Sequence, residues 1–173
     1  AEPLCRSSYI PSCVKGISLN DKTFLIPSMG IINNYCHSLL LIHNQDGWSF
    51  SSPTPNFGDN ECTVYIDNEN RIILDCRTPD GTRRKYSYDI DNDVFTSVSP
   101  SVNISNVAVS TEIVKDNDFF YMCFPNSSRG IREDLTLYGS KDGVNWKPIY
   151  RIASGNLLNF SYSSIAIDDK QYS

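Results

Sequence analysis

A turn motif that recurs along the chain constrains its fold more than any other feature. Copies of the motif lie at residues 43–48, 87–89 and 140–146, each after a strand-like run. Their spacing is about 45 to 53 residues. A repeat of this length is typical of the four-stranded blade of a β-propeller. In the third copy, Ser and Asp side chains can hydrogen-bond the backbone of a tight turn, and a Trp can fill the gap between blades.

Short runs rich in β-branched and aromatic residues occupy the rest of the chain, and no long amphipathic helix interrupts them. Clusters of Asn, Asp, Gly and Pro separate the runs, as expected for turns. This pattern indicates an antiparallel all-β fold, and the repeat favours a propeller over a sandwich or barrel. The predicted strands are 23–27, 38–43, 63–66, 71–76, 84–89, 119–124, 135–140 and 163–167.

Charge and hydropathy argue against several classes of function. The 15 Lys and Arg residues are outnumbered by 20 Asp and Glu residues, the net charge is −5, and the basic residues form no cluster. This argues against nucleic acid as a partner. No apolar run approaches the roughly 18 residues of a membrane span. The cysteine and aspartate spacings fit neither zinc nor EF-hand calcium motifs, so we expect no metal and no cofactor.

Six cysteines and three N-glycosylation sequons indicate the compartment. An even cysteine count suits an oxidising environment, and Asn-X-Ser sequons are glycan acceptors in secreted proteins. Together they predict a secreted, extracellular or lumenal protein. The chain starts without a signal peptide, which we interpret as a processed or excised product. The sequons begin at Asn103, Asn126 and Asn159.

One predicted hairpin can be aligned residue by residue. Its strands, 63–66 and 71–76, flank a four-residue turn. Pairing Ile66 with Ile72 places Cys62 directly opposite Cys76, within reach of a disulfide. We therefore predict a Cys62–Cys76 bridge and leave the pairing of the other cysteines open.

Several motifs, in order, resemble the second half of sialidases and trans-sialidases. The turn at 140–146 resembles the Asp box of that family, in which Ser140, Asp142, Gly143 and Trp146 have structural roles. The resemblance begins near Gly16 and covers nearly all of the chain. The further matching elements are Asn60-Glu61, the run 72–77 that ends in Arg77, Arg132 directly before 135–137, and Tyr162 within 160–165.

The resemblance implies a fold, a substrate and a set of roles. The whole segment 1–173 would be the C-terminal half of a six-bladed propeller, about its last three blades, with the N-terminal half absent. Sialic acid carries a carboxylate on its anomeric carbon, and Arg77 and Arg132 would bind it. We prefer Arg132 to the nearby Arg129 because it directly precedes the matching strand. Tyr162 would be the nucleophile and Glu61 the base that accepts its proton.

Two elements of the family pattern are missing from this chain. The first half of a sialidase supplies a third arginine and an aspartate that protonates the leaving group. Asp59, Asp80 and Asp134 are interpreted as turn or surface acids, so the isolated chain is expected to be inactive or nearly so. Because an open propeller exposes strand edges and apolar faces, we expect it to pack against the N-terminal half or against a copy of itself.

Three functions remain open on the sequence alone. The first is an exo-α-sialidase, a retaining glycoside hydrolase that releases terminal sialic acid from glycoconjugates. The alternatives are a trans-sialidase and a non-catalytic, lectin-like relative that binds sialic-acid-terminated glycans. Retention of Glu61 and Tyr162 beside the arginines favours an enzyme ancestry. The two histidines, His37 and His43, are interpreted as strand-edge residues.

Overall fold

Three antiparallel sheets follow one another along the chain in the computed structural model, which describes residues 8–154 and 160–168. In the first sheet, β1 (Tyr9–Pro11) and β2 (Ile17–Asn20) both pair with β3 (Thr23–Ile32). The sheet continues through β4 (Tyr35–Asn44) to β5 (Gly47–Phe50). Within the described residues we find no helical segment with the length and hydrophobicity of a membrane span.

The second sheet is the most completely buried of the three. It comprises β6 (Cys62–Ile66), β7 (Ile72–Arg77), β8 (Arg83–Asp89) and β9 (Val94–Val98), in that order. Four of the five β6 residues and five of the six β7 residues are buried. Because a strand buried on both faces needs no polar alternation, these two strands have near-continuous apolar sequences.

The third sheet repeats the same up-and-down order. Its strands are β10 (Val114–Asp116), β11 (Phe119–Pro125), β12 (Leu135–Ser140) and β13 (Lys147–Ala153). The last strand lies at the sheet edge, and six of its seven residues are exposed. Residues 163–167 do not form the predicted strand. Within the described part of the chain, only Ser163 of this run makes a bridge, with Thr111.

Two hydrophobic clusters join the three sheets face to face. Because successive strand residues point to opposite faces, neighbouring residues of the second sheet contribute to different clusters. Val64 and Leu74 belong to one cluster with Leu25 and Leu40 of the first sheet. In the other cluster, the second sheet contributes Tyr65 and Ile73, and the third contributes Phe120, Met122 and Trp146. The all-β, propeller-type fold is therefore confirmed, and the number of blades in a complete ring stays a prediction.

The cysteine hairpin has the predicted register but not the predicted bond. Ile66 pairs with Ile72, and Cys62 lies directly opposite Cys76. The predicted disulfide is wrong for this structure, because both residues are free thiols. Burial raises the pKa of the Cys76 thiol well above its ordinary value, and a hydrogen bond with Cys62 raises it further. The thiolate needed for disulfide chemistry is thereby disfavoured.

The recurring turn joins the last two strands of each sheet. At the best-defined copy, the Asp142 carboxylate accepts hydrogen bonds from the backbone N–H of Val144 and Asn145, at 2.8 and 2.7 Å, and from the Ser140 hydroxyl at 2.9 Å. Gly143 has a φ of 68°, in the left-handed region that favours glycine. Asp89 accepts the same kind of backbone bonds in the second sheet. The internal repeat is thus a structural turn.

Trp146 closes this turn against the second sheet. Its ring is fully buried, and its indole N–H donates to the Ser101 hydroxyl at 3.1 Å. The carbonyl oxygen of Gly143 accepts a hydrogen bond from the buried Lys85 ammonium of β8. The turn therefore fastens the third sheet to the second, in agreement with the expected structural role of its Trp.

We predict that Asp142→Asn lowers stability at neutral pH by about 1 kcal/mol, with a difference that shrinks in acid. Burial would raise the pKa of Asp142, but the hydrogen bonds it accepts outweigh this and hold the pKa well below its usual range. The carboxylate therefore stabilises the fold above the ordinary Asp pKa of about 3.9, and this contribution is lost as pH falls through the lowered folded-state pKa.

Urea denaturation of both proteins between pH 7 and about pH 2 would measure this difference. Asp46→Asn, on the corresponding turn of the first sheet, is the matched control. A stability difference that stays constant across the pH series would contradict the prediction.

Candidate active site

Glu61 and Arg77 are neighbours because of the β6–β7 register. Glu61 directly precedes β6 and Arg77 ends β7, so each is adjacent in sequence to one member of the Cys62–Cys76 pair. The backbone N–H of Arg77 donates to the Glu61 carbonyl oxygen at 2.9 Å. Their side chains form an ion pair through Arg77 Nη1 and Glu61 Oε2, and both are mostly buried, at 19 and 17% exposure.

The Arg77 guanidinium retains a donor for another group. Its Nε–H is buried and has no hydrogen-bond partner within residues 8–154 and 160–168. Buried N–H groups are normally satisfied, because leaving one unpaired costs roughly 1–3 kcal/mol. An unsatisfied donor beside an ion pair is therefore suited to an anionic ligand.

Tyr162 lies beside this ion pair, with 48% of its surface exposed. Hydrogen bonding to the Glu61 carboxylate is the largest cause of a raised pKa for the Tyr162 phenol. Partial burial raises the pKa further, while the positive charge of Arg77 opposes the rise. Glu61 thus contacts both an arginine and a tyrosine hydroxyl.

Arg132 approaches Tyr162 from another side. The carbon at the centre of its guanidinium lies 5.9 Å from the centroid of the Tyr162 ring. The guanidinium donates to the carbonyl oxygen of Ala108 at 2.8 Å and to the Ser161 hydroxyl at 3.1 Å. The Arg132 carbonyl oxygen accepts from the N–H of Phe160 at 2.8 Å. All four residues singled out in the sequence therefore converge, and their roles stay predictions.

Arg129, the competing arginine, has a different partner. Its Nε donates to Glu133 Oε1 at 3.0 Å, and its Nη2 bonds the other carboxylate oxygen of Glu133. This ion pair is exposed on the arginine side. The geometry therefore associates Arg132, and not Arg129, with Tyr162.

Asp59 is not the turn or surface acid that the sequence suggested. Its side chain is fully buried, accepts a hydrogen bond from Arg84 Nη1 at 3.0 Å, and accepts another from the Tyr86 hydroxyl at 2.6 Å. The charge of this buried carboxylate is balanced by Arg84. Through its two partners, Asp59 links strand β8 to the loop before β6.

The other two acids do occupy turns. Asp80 is exposed, and hydrogen bonds from Thr78 and Thr82 lower its pKa to about 2. Asp134 has a positive φ of 53° and forms an ion pair with Arg151, with 2.6 Å between oxygen and nitrogen. All three carboxylates are thus engaged in structural contacts.

The histidines and sequons lie in unremarkable positions. His37 Nδ1 is 2.9 Å from the carbonyl oxygen of Thr54, and the His43 ring packs edge-on against Trp48 with centroids 4.7 Å apart. Asn103 and Asn126 are exposed, as a glycan acceptor must be. Asn159 lies outside the described residues, and glycosylation and secretion stay predictions.

Glu112 is the residue near Tyr162 that sequence reasoning missed. It is buried just before β10, and its carboxylate contacts residues 164 and 165, directly after Tyr162. No motif marks this glutamate, so only the tertiary contacts reveal it. Among the described residues, no group of three or more His, Cys, Asp or Glu side chains is arranged to hold a metal ion.

The family of the chain follows from a match over almost its full length. Residues 3–172 match the family model of the BNR repeat-like domain. The chain therefore belongs to the BNR repeat-like domain family. No curated protein matches it.

Solved structures of a sialidase share this fold. Trypanosoma rangeli sialidase in complex with sialic acid superposes with a TM-score of 0.75 over 94% of this chain and 28% of that chain, at 18% identity. The same enzyme in complex with 2,3-difluoro-KDN gives a TM-score of 0.74, also at 18% identity and with the same coverage. The chain thus spans little more than a quarter of those proteins. The likeness establishes a sialidase-type fold.

Proposed function

We propose that this chain carries half of the active site of an exo-α-sialidase, a retaining glycoside hydrolase with Tyr162 as its nucleophile. The observation that carries the proposal is the convergence of four side chains: Arg77 is paired with Glu61, Arg132 lies beside the Tyr162 ring, and Glu61 raises the pKa of the Tyr162 phenol. Tyr nucleophiles distinguish sialidases from glycosidases that use two carboxylates.

The arginines supply a site for the carboxylate of sialic acid. A guanidinium is always charged and can donate two parallel hydrogen bonds to a carboxylate. Arg77 has a buried Nε–H without a partner in the described part of the chain, which supports this role. Arg132 would contact the same carboxylate or an adjacent part of the sugar from the far side of Tyr162.

The tyrosine would act only with the help of Glu61. Since the pKa of Tyr162 is raised, its hydroxyl is protonated at neutral pH and is a weak nucleophile. As the phenol oxygen bonds to the anomeric carbon, Glu61 accepts its proton and the glycosidic bond breaks. Water then displaces the tyrosine from the covalent intermediate and gives a proton to the group that had protonated the leaving group, while Glu61 returns the first proton to the tyrosine oxygen. Two displacements at the same carbon retain the configuration.

A complete reaction needs a proton donor for the leaving group. Asp59, Asp80 and Asp134 are held in structural contacts, so we assign the donor and the third arginine to an N-terminal half of the propeller. That half could be a second chain, and self-association is the alternative. A trans-sialidase would share the covalent intermediate and differ in its acceptor.

An apolar groove on the outer face of the first sheet supports such a partner. Phe24, His43 and Trp48 are cross-strand neighbours on the face opposite the core residue Leu25. With Ile26 they line a groove of about 570 Å³, in which Phe24 and Trp48 are exposed. An apolar sheet face of this kind is suited to packing against another blade.

Lectin-like binding is the second candidate function. It is favoured by the presence of both arginines in a chain whose candidate acids are engaged elsewhere. Such a protein would bind sialic-acid-terminated glycans without cleaving them.

We predict that Arg77→Gln weakens binding of free sialic acid to this chain at least tenfold, because it removes a charged, two-point contact to the carboxylate. Isothermal titration calorimetry or ligand-observed NMR would measure the change. Arg71→Gln is the matched control, since Arg71 lies at the opposite end of the same hairpin and pairs with Asp67.

Unchanged binding in Arg77→Gln would contradict the proposed carboxylate site. Equal weakening in Arg71→Gln would also contradict it, since the effect would then reflect net charge alone.

A further inference from the structure

The segment that carries Tyr162 has little backbone support. Residues 160–168 contain no strand, and their described bridge joins only Ser163 and Thr111. Two further backbone bonds hold it: the Phe160 N–H donates to the Arg132 carbonyl oxygen at 2.8 Å, and the Glu112 N–H donates to the Ser163 carbonyl oxygen at 3.2 Å. The position of Tyr162 therefore depends on side chains that hold the residues around it.

The buried carboxylate of Glu112 is the most connected of these side chains. Its Oε2 accepts hydrogen bonds from the Ser164 hydroxyl and from the Ile165 N–H, the latter at 3.2 Å. Its Oε1 lies 3.5 Å from Lys15 Nζ, which also donates to the Ile165 carbonyl oxygen at 2.9 Å. Glu112 thus holds the segment just after Tyr162 and pairs with Lys15 of the connection between β1 and β2.

Thr111 holds the same segment from the other side. Its hydroxyl donates to the Cys123 carbonyl oxygen at 2.7 Å and lies 2.9 Å from the Ser163 hydroxyl. The Ser163 hydroxyl bonds the same carbonyl. Ser163 and Ser164 are therefore fixed by two consecutive residues, Thr111 and Glu112.

The Thr111–Glu112 pair is itself tied to the strand that begins next to Glu61. The N–H of Ile113 donates to the hydroxyl of Thr63, at 3.3 Å, two residues beyond Glu61. A short path of hydrogen bonds thus relates the backbone that carries Glu61 to the backbone that carries Tyr162. Glu112 lies in the middle of this path.

We propose that Glu112 is a positioning residue that holds Tyr162 within hydrogen-bond reach of Glu61. That Glu112 supports catalysis rests on the proposed function. That Glu112 positions Tyr162 rests only on the contacts described above. A carboxylate is suited to the position because it accepts from both donors of the segment and balances Lys15. A glutamine offers one acceptor oxygen and brings an N–H₂ group against other donors.

Glu112→Gln is therefore expected to move Tyr162 away from Glu61. The pKa of Tyr162 should fall from its raised value toward the ordinary value near 10. NMR titration of the chain with ¹³Cζ-labelled tyrosine would follow this group directly. In the completed propeller, kcat should fall about 10- to 100-fold while KM changes little, because the arginines remain in place.

Three further variants complete the test. Ser164→Ala removes one donor to the same carboxylate and should shift Tyr162 in the same direction by a smaller amount, even if Glu112→Gln does not fold. Glu69→Gln, at a side chain that is 71% exposed, should leave Tyr162 unchanged. Lys15→Arg keeps the charge beside Glu112 and should preserve the titration.

The outcomes separate this inference from the proposed function. An unchanged Tyr162 titration in folded Glu112→Gln and in Ser164→Ala would overturn the positioning role, even if the completed enzyme cleaves sialosides. A shifted titration would support it, even if no sialoside is cleaved, in which case the proposed function alone would fail.

Discussion

Replacing Tyr162 with Phe is expected to lower sialoside hydrolysis by the completed propeller on the order of 10³-fold or more. The substitution removes a single hydroxyl, the atom that would form the covalent bond to the sugar. The aromatic ring beside Arg132 remains, and so do Arg77 and Glu61. Substrate binding should therefore persist while turnover is lost.

Steady-state hydrolysis of a fluorogenic sialoside would measure the loss, and rapid quenching with mass spectrometry would detect the sugar-linked peptide in the unsubstituted enzyme. Tyr150→Phe is a matched control, because Tyr150 lies on the edge strand β13 and is 66% exposed. Normal turnover in Tyr162→Phe would remove Tyr162 from the proposed role. An equal loss in Tyr150→Phe would show that the effect is not specific to the site.

The largest stability loss is expected for Asp75→Ala, at about 3–5 kcal/mol. Asp75 is fully buried in β7. Its carboxylate lies 2.6 Å from Arg83 Nε and 3.6 Å from Lys85 Nζ, and accepts a hydrogen bond from the Ser101 hydroxyl at 3.1 Å. Ser101 in turn accepts from Trp146, so the carboxylate supports the contact between the second and third sheets.

Removing this carboxylate leaves two buried cations without a counter-charge. Burial already lowers the pKa of Lys85, and the Asp75 charge opposes that shift. Urea denaturation would measure the change in unfolding free energy. Asp116→Ala, an exposed aspartate of β10, should change stability by no more than about 0.5 kcal/mol.

A loss for Asp75→Ala as small as that of the surface control would contradict the prediction. The double variant with Arg83→Met offers a second check, because it removes one unpaired cation. It should be less unstable than the sum of the two single variants.

The sequence predicted the strands that carry the core and missed those at the edges. β6 and β7 were predictable because burial on both faces makes them continuously apolar. Val114–Asp116 has only three residues, and Lys147–Ala153 is exposed along almost its whole length, so neither has a clear pattern. The run at 163–167 resembles a strand, but in the described part of the chain its contacts come mostly from side chains.

Only the site residues that belong to a sequence motif could be predicted. Glu61 and Arg77 follow from the hairpin register, which the two isoleucines fix. The approach of Arg132 and Tyr162 depends on how the sheets stack, which no local pattern specifies. Glu112 belongs to no motif, because its contacts are with residues about 50 positions later in the sequence.

The ion pair between Glu61 and Arg77 affects how an anion can bind at this site. The Arg77 cation already has Glu61 as a counterion, so an arriving anion competes with this carboxylate for the guanidinium instead of meeting an unpaired charge. Such an exchange favours ligands that offer two well-placed oxygens over small spherical ions. Under the proposed function it would also couple binding to catalysis, because a sugar acid that takes over the contact with Arg77 would leave the Glu61 carboxylate free to accept the proton of Tyr162.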